Sequence, residues 1–138
     1  MILVLIVIII FGIIADALGT AAAAASLKPV NALAAKKELG AKEAVIIIKK
    51  ADRFANICQD VIGDVLNTLS GVFGVGIVIA ITSDIKRQDI YTLIITAIIV
   101  ALTVFGKAIG KYYAMNHANK LMIICGKVIY IFKKVVGK

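Results

Sequence analysis

The chain has 138 residues, 62% hydrophobic and 17% charged, with mean hydropathy +1.02. Soluble domains carry about 45–50% apolar and about 25% charged residues; here the excess sits in three long blocks, which excludes disorder, a disulfide scaffold and an ordinary soluble enzyme core. Sixteen Lys and Arg against eight Asp and Glu give +8, and because these cations cluster beside the apolar blocks they suit anionic lipid headgroups rather than nucleic acid.

The first apolar block covers residues 2–25 and exceeds the roughly 20 residues needed to span hydrocarbon. A cleaved signal peptide is the competing reading, since Ala21 to Ala25 resembles a small-residue cleavage region. No Lys or Arg precedes the run, however, and it is long for a signal core. Pro29 is expected to end or bend this helix. Residues 31–50 then form an interfacial helix, with a plain cytoplasmic coil as the alternative. The second block (54–82) and the third (90–110) complete three transmembrane helices. A second interfacial helix follows at 114–135, in which Lys120, Lys127 and Lys134 recur every seven residues, with Leu121, Ile124, Val128 and Ile131 on another face. Lysines of such a helix reach headgroups while its apolar face enters the acyl boundary; Tyr112, Tyr113 and Tyr130 suit the same depth. The fold class is therefore an all-α membrane protein, one domain over 1–138, with a juxtamembrane belt.

Charge sets the orientation. Lys28, Lys36, Lys37, Lys42, Lys49, Lys50 and Arg53 lie in the first connection, and only Lys86 and Arg87, beside Asp84 and Asp89, in the second. The tail carries Lys111, Lys120, Lys127, Lys133, Lys134 and Lys138. By the positive-inside rule the N-terminus is outside and the C-terminus cytoplasmic.

Several residues do not belong in lipid. Asp16 lies in the first helix; Asn56, Gln59, Asp60, Asp64 and Asn67 lie in the second, with Asn56, Asp60, Asp64 and Asn67 on one stripe continued by Gly71 and Gly74. Thr92, Thr96 and Thr103 form a stripe on the third helix leading to Lys107 and Gly110. Intramembrane ionisable groups cost about 2.5–3.5 kcal/mol each on insertion scales, so they face the bundle interior. The asparagines and threonines read as interhelical glue and the aspartates as a site, with glue for all of them as the bland alternative. At about 1.5 Å per residue, Asp16 falls about 9 Å from the cytoplasmic edge of a core about 30 Å thick. Asp60 and Asp64 fall at about 9 and 15 Å, and Thr103 and Lys107 at about 10 and 5 Å, by the same rise. Three aspartates and one lysine leave two negative charges in surplus, which a divalent cation neutralises; hard oxygen ligands suit Mg²⁺. Asp16 and Asp60, with Asp64 as second choice, are the candidate carboxylates, Thr20 and Thr103 the neutral oxygens, and Lys107 the group that modulates the ion path.

Four stretches together resemble the transmembrane domain of the CNNM/CorB–CorC magnesium transporters, which includes hemolysin-like proteins. Asp16-Ala17-Leu18-Gly19-Thr20-Ala21 is similar to the family's Ser-Gly-Ser-Glu-Thr-Ala-like start. Ala34 to Lys42, then Ala51-Asp52-Arg53-Phe54, resembles its cytoplasmic connection and Asp-Pro-Asp/Glu-Arg-Leu. Gly63-Asp64 falls near its Gly-Asn-Asn. Val104-Phe105-Gly106-Lys107-Ala108-Ile109-Gly110-Lys111, then Ala114-Met115-Asn116, resembles its Phe-Gly-Glu-Ile-x-Pro-Lys and Ala-x-Asn. The resemblance implies a three-helix homodimer with an interfacial belt in a bacterial cell membrane, exporting Mg²⁺ against Na⁺ entry through an inward-facing acidic cavity. It also implies departures: the motif serine is Asp16 and its glutamate Gly19, the Phe-Gly-Glu acid is Lys107, and its proline is Gly110. The family continues into paired CBS domains, so nucleotide-dependent regulation is expected from a separate subunit.

No Walker loop follows Gly71, Gly74 and Gly76. Lone His117 has no partner at metal spacing and reads as solvated or interfacial. Cys58 and Cys125 form no framework or metal spacing and, near the cytoplasm, are expected to stay reduced. With no nucleophile–base pair and no organic cofactor motif, an enzyme is not expected. Two functions remain: divalent-cation transport, and a non-transporting adaptor or regulatory subunit of the same fold. A holin-type pore fits the length but not the organised acids.

Overall fold

The computed structural model describes residues 1–82 and 85–137, for 85–87 the backbone only. The second connection, at Ser83 and Asp84, and Lys138 lie outside the described residues. Eight helical segments occur among those described, with no strand: α1 (Ile2–Ala24), α2 (Leu27–Ala35), α3 (Ala41–Lys49), α4 (Ala51–Asn56), a π-helical turn (Ile57–Ile62), α5 (Gly63–Ile81), α6 (Ile85–Asn116) and α7 (Ala118–Val136). Three stretches are long and apolar enough to cross a membrane: Ile2–Ala24, Ala51–Ile81 (α4, the π turn and α5 as one rod) and Gln88–Asn116. Their 23, 31 and 29 residues rise about 35, 46 and 44 Å. The last two therefore outrun a hydrocarbon core about 30 Å thick, at one end or by tilt.

α1 is the central element, packing on α6 and α5 along its length and on α4, the π turn and α7 near its C-terminal end. Its alanine-rich end is the best of helix formers, so local propensity does not stop it at Ala24. The chain turns through two extended residues, Ala25 and Ser26, and the Ser26 amide donates to Oδ1 of Asn119 on α7 at 2.9 Å. Pro29 does not end α1; it occupies the first turn of α2, where a missing N–H costs no helical bond.

The helix expected over 31–50 is two helices. α2 ends in a Schellman arrangement: Lys37 is left-handed (φ 58°), its amide donates to Ala34 O at 3.0 Å, and the Glu38 amide donates to Leu33 O at 3.1 Å. Gly40 (φ 79°) then opens α3. The second span begins at Ala51 rather than at residue 54, after a break at Lys50. α6 runs unbroken through residues 110–116, so the tail helix starts at Ala118 rather than 114. The break falls at His117 (φ −122°, ψ 24°), whose ring stacks on Tyr113 with centroids 4.4 Å apart.

The buried apolar residues form two clusters. The larger joins the C-terminal end of α1 (Ala21, Ala22), Val30, Ala44, Ile47, Ile48, Ala114, Ala118 and Met122. The smaller, at the far end of the spans, holds Leu5, Ile77 and Ile99. α7 contributes Ala118, Met122 and Gly126 to the interior, while Ile124, Val128 and Ile131 of the expected apolar face stay exposed. Gly126 lies on Gly40: a β-carbon there would collide with Gly40 O and approach Ala44 N to 2.9 Å.

Candidate functional site

On α1, Gly12, Ala15, Asp16, Gly19 and Ala22 share the inward face. Small residues above and below Asp16 let two other helices reach it. Gly19 is essential to one approach: a β-carbon there would stand 2.8 Å from Gln59 Cγ and 3.2 Å from Ala55 O. Gln59 crosses this gap and its Nε2 donates to Thr20 Oγ1 at 3.0 Å and, more weakly, to Asp16 O at 3.4 Å. The Thr20 hydroxyl donates to Asp16 O at 3.0 Å.

Asp16 is 5% exposed, and its Oδ2 accepts no hydrogen bond. Lys111 Nζ lies 3.3 Å from that oxygen, its side chain 47% exposed against 7% for Asp16. The distance meets the ion-pair range, whereas the absence of hydrogen-bond geometry marks a Coulombic contact rather than a charge-assisted bond, which is typically 2.7–2.9 Å. The ammonium at Asp16 thus belongs to Lys111, one helical turn beyond Lys107.

Lys107 occupies the neighbouring layer. A narrow gap lined by Gly12, Gly63, Asn67, Ser70, Thr103 and Lys107 separates α1, α5 and α6 and leaves no room for a water molecule. Thr103 is buried there, its hydroxyl donating to Ile99 O at 2.7 Å within its own helix. Lys107 is half-buried beside Gly63, whose missing β-carbon would sit 3.9 Å from the lysine Nζ. Among the described residues, no carboxylate pairs with Lys107 within 4.0 Å.

Between these layers the second span takes its π turn. The Gly63 amide bonds Cys58 O, five residues back instead of four. Such turns occur mostly as single-turn insertions in α-helices and are frequent at functional sites. The turn carries Gln59 towards α1 while Asp60 remains exposed, as do Asp64, Asn56 and Asn67. The structure therefore brings Asp16 and Thr20 together, with Gln59 and Lys111 as additional members; Thr103 and Lys107 form the adjoining layer; and Asp60 and Asp64 look outward from the single chain. Among the described residues no group of three His, Cys, Asp or Glu side chains converges as metal ligands.

Lys111 was legible in part. Thr103, Lys107 and Lys111 follow at four-residue spacing, so Lys111 extends the polar stripe of α6 by one turn. Gln59 gave no such signal, because its inward aim depends on the close approach at Gly19. Cys125, on α7, is a free thiol held above its ordinary pKa by burial. Comparison with protein-family models, curated proteins and solved structures returns no match for this chain.

Proposed function

We propose that this chain transports a small hard cation of the magnesium type, with Asp16 as the buried anchor. The observation that carries the reading is a carboxylate 5% exposed inside a membrane-crossing helix, with one oxygen outside any hydrogen bond. Burying an aspartate in a span costs about 2.5–3.5 kcal/mol on insertion scales, and hydrogen bonding does not offset that cost at Oδ2. Mg²⁺ keeps several waters and needs only one or two carboxylates from the protein, so a complete cage within one chain is unnecessary.

Asp60 and Asp64 support a homodimer. On the exposed side of an apolar rod they would otherwise face lipid, and polar groups in spans are covered by neighbouring helices. A second copy docked on Asn56, Asp60, Asp64 and Asn67 supplies the carboxylates of an inward-facing cavity. The seven cations from Lys28 to Arg53 put α2, α3 and α7 on the cytoplasmic surface and the N-terminus outside. The exposed Ile124, Val128 and Ile131 suit a belt helix lying in the headgroup region. The resemblance to CNNM/CorB–CorC domains points the same way, with Na⁺ entry as the coupling flux.

Mg²⁺ flux from proteoliposomes holding the purified chain tests the proposal. Flux above that of empty vesicles, lost in Asp16→Asn and reduced in Asp60→Asn, is expected. The Asp16–Lys111 pair favours a second reading, because it already neutralises the buried acid: a non-transporting adaptor gives no flux in any variant. Cysteine labelling in intact cells checks orientation, with Thr82→Cys modified and Lys134→Cys protected.

A further inference from the structure

We infer that Lys111 is a tethered cation which fills the Asp16 site when no ion is there, so that the lysine ammonium and a diffusible inorganic cation exclude one another. This rests on the proposal above that Asp16 anchors an ion, and adds how the site is closed and emptied.

Three features carry it. The first is asymmetry. Asp16 is fixed on the inner face of α1, whereas Lys111 reaches it from the rim with nearly half of its side chain exposed. The lysine can swing away along its flexible stem, keeping its charge in water or headgroups; the carboxylate cannot follow. The second is the looseness of the contact. At 3.3 Å and without hydrogen-bond geometry, the pair holds charge against charge but does not lock the two groups. The third is the rest of the shell. Thr20 and the Asp16 carbonyl are tied to each other and to the Gln59 amide nitrogen, independently of Lys111. Removing the ammonium therefore leaves those bonds standing and frees a buried carboxylate oxygen.

Charge decides what enters. A monovalent ion replaces Lys111 one for one and leaves the buried site neutral. A divalent ion leaves one positive charge in excess unless a second carboxylate joins it. Lys107 does not substitute for Lys111 in this role, since its ammonium sits in the next layer against Gly63.

The test uses the full chain in lipid nanodiscs. A brief pulse of reductive methylation is applied as NaCl or MgCl₂ replaces choline chloride at constant ionic strength, and each lysine is quantified by mass spectrometry. Lys111 labelling should rise several-fold with the displacing ion while exposed Lys120 stays constant. In Asp16→Asn, Lys111 should label fast at all ion concentrations. Lys111→Met should lower the cation concentration that gives half-maximal thermal stabilisation by about tenfold, the factor expected when a competitor holds the site nine-tenths of the time; Lys107→Met should not. Displacement by either salt supports the inference, and the salt that acts gives the valence. Lys111 labelling indifferent to both salts, or an unchanged midpoint in Lys111→Met, overturns it. Cation-dependent labelling without Mg²⁺ flux would remove the transport reading and leave this one standing; flux with indifferent labelling would do the reverse.

Discussion

The two ends of this molecule pack differently, one largely on alanine and glycine and the other on leucine and isoleucine. Around Met122 and Val30, neither of which is exposed at all, alanines and glycines of α1, α3, α6 and α7 close onto one another. At the far end of the spans, Leu3, Leu93 and Ile81 are 76%, 74% and 71% exposed, while Leu5, Ile77, Val78 and Ile99 are buried. Apolar surface that would otherwise meet water gains by burial. Segments in hydrocarbon gain nothing that way, because lipid tails are as apolar as leucine. Thin packing in the spans is therefore no defect, and the polar side chains there become the strongest interhelical features.

Substitutions can break this contrast if it is wrong. Met122→Ala should destabilise the protein by about 2–5 kcal/mol, the range for emptying a buried aliphatic site, whereas Leu93→Ala should change thermal unfolding in nanodiscs by under about 0.5 kcal/mol. Equal effects would mean that the spans share the core around Met122. Gly126→Ala should cost about 1–3 kcal/mol, the range for overpacking, as its methyl meets the backbone of Gly40. Gly71→Ala, with nothing within 4 Å of a β-carbon, should be neutral or slightly stabilising. Circular dichroism melts compare the pair.

A smaller effect tests the burial of α7 through Cys125. Burial disfavours the thiolate and raises the pKa, so at pH 8 the folded protein holds less thiolate than the unfolded chain. Iodoacetamide should modify Cys125 more slowly in the folded state and faster as pH rises; alkylation at the unfolded rate would show that α7 is not docked. A small change is also expected from Glu38→Gln. Its contact with Lys127 is 3.7 Å long, with both side chains more than 40% exposed, and exposed pairs contribute about 0–1 kcal/mol, screened by salt.

Length and apolar periodicity alone determined three membrane-length helices, since span length is set by bilayer thickness and hydropathy needs no tertiary partner. The burial of Asp16 and Thr103 was legible for a related reason, because polar groups within a span turn towards neighbouring helices. What the sequence left open was decided by packing between segments far apart in the chain. Asn119 closes α1 at Ala24 through Ser26, 93 residues away, and the left-handed pair at Lys37 and Gly40 separates α2 from α3 where α7 presses on the chain. The π turn at Ile57–Ile62 has no signal in hydropathy, yet it accompanies the inward aim of Gln59 while Asp60 and Asp64 stay exposed. Two lysines four residues apart look alike in the sequence. Which of them meets Asp16 depends on the crossing of α1 and α6, and only the tertiary structure assigns that contact to Lys111.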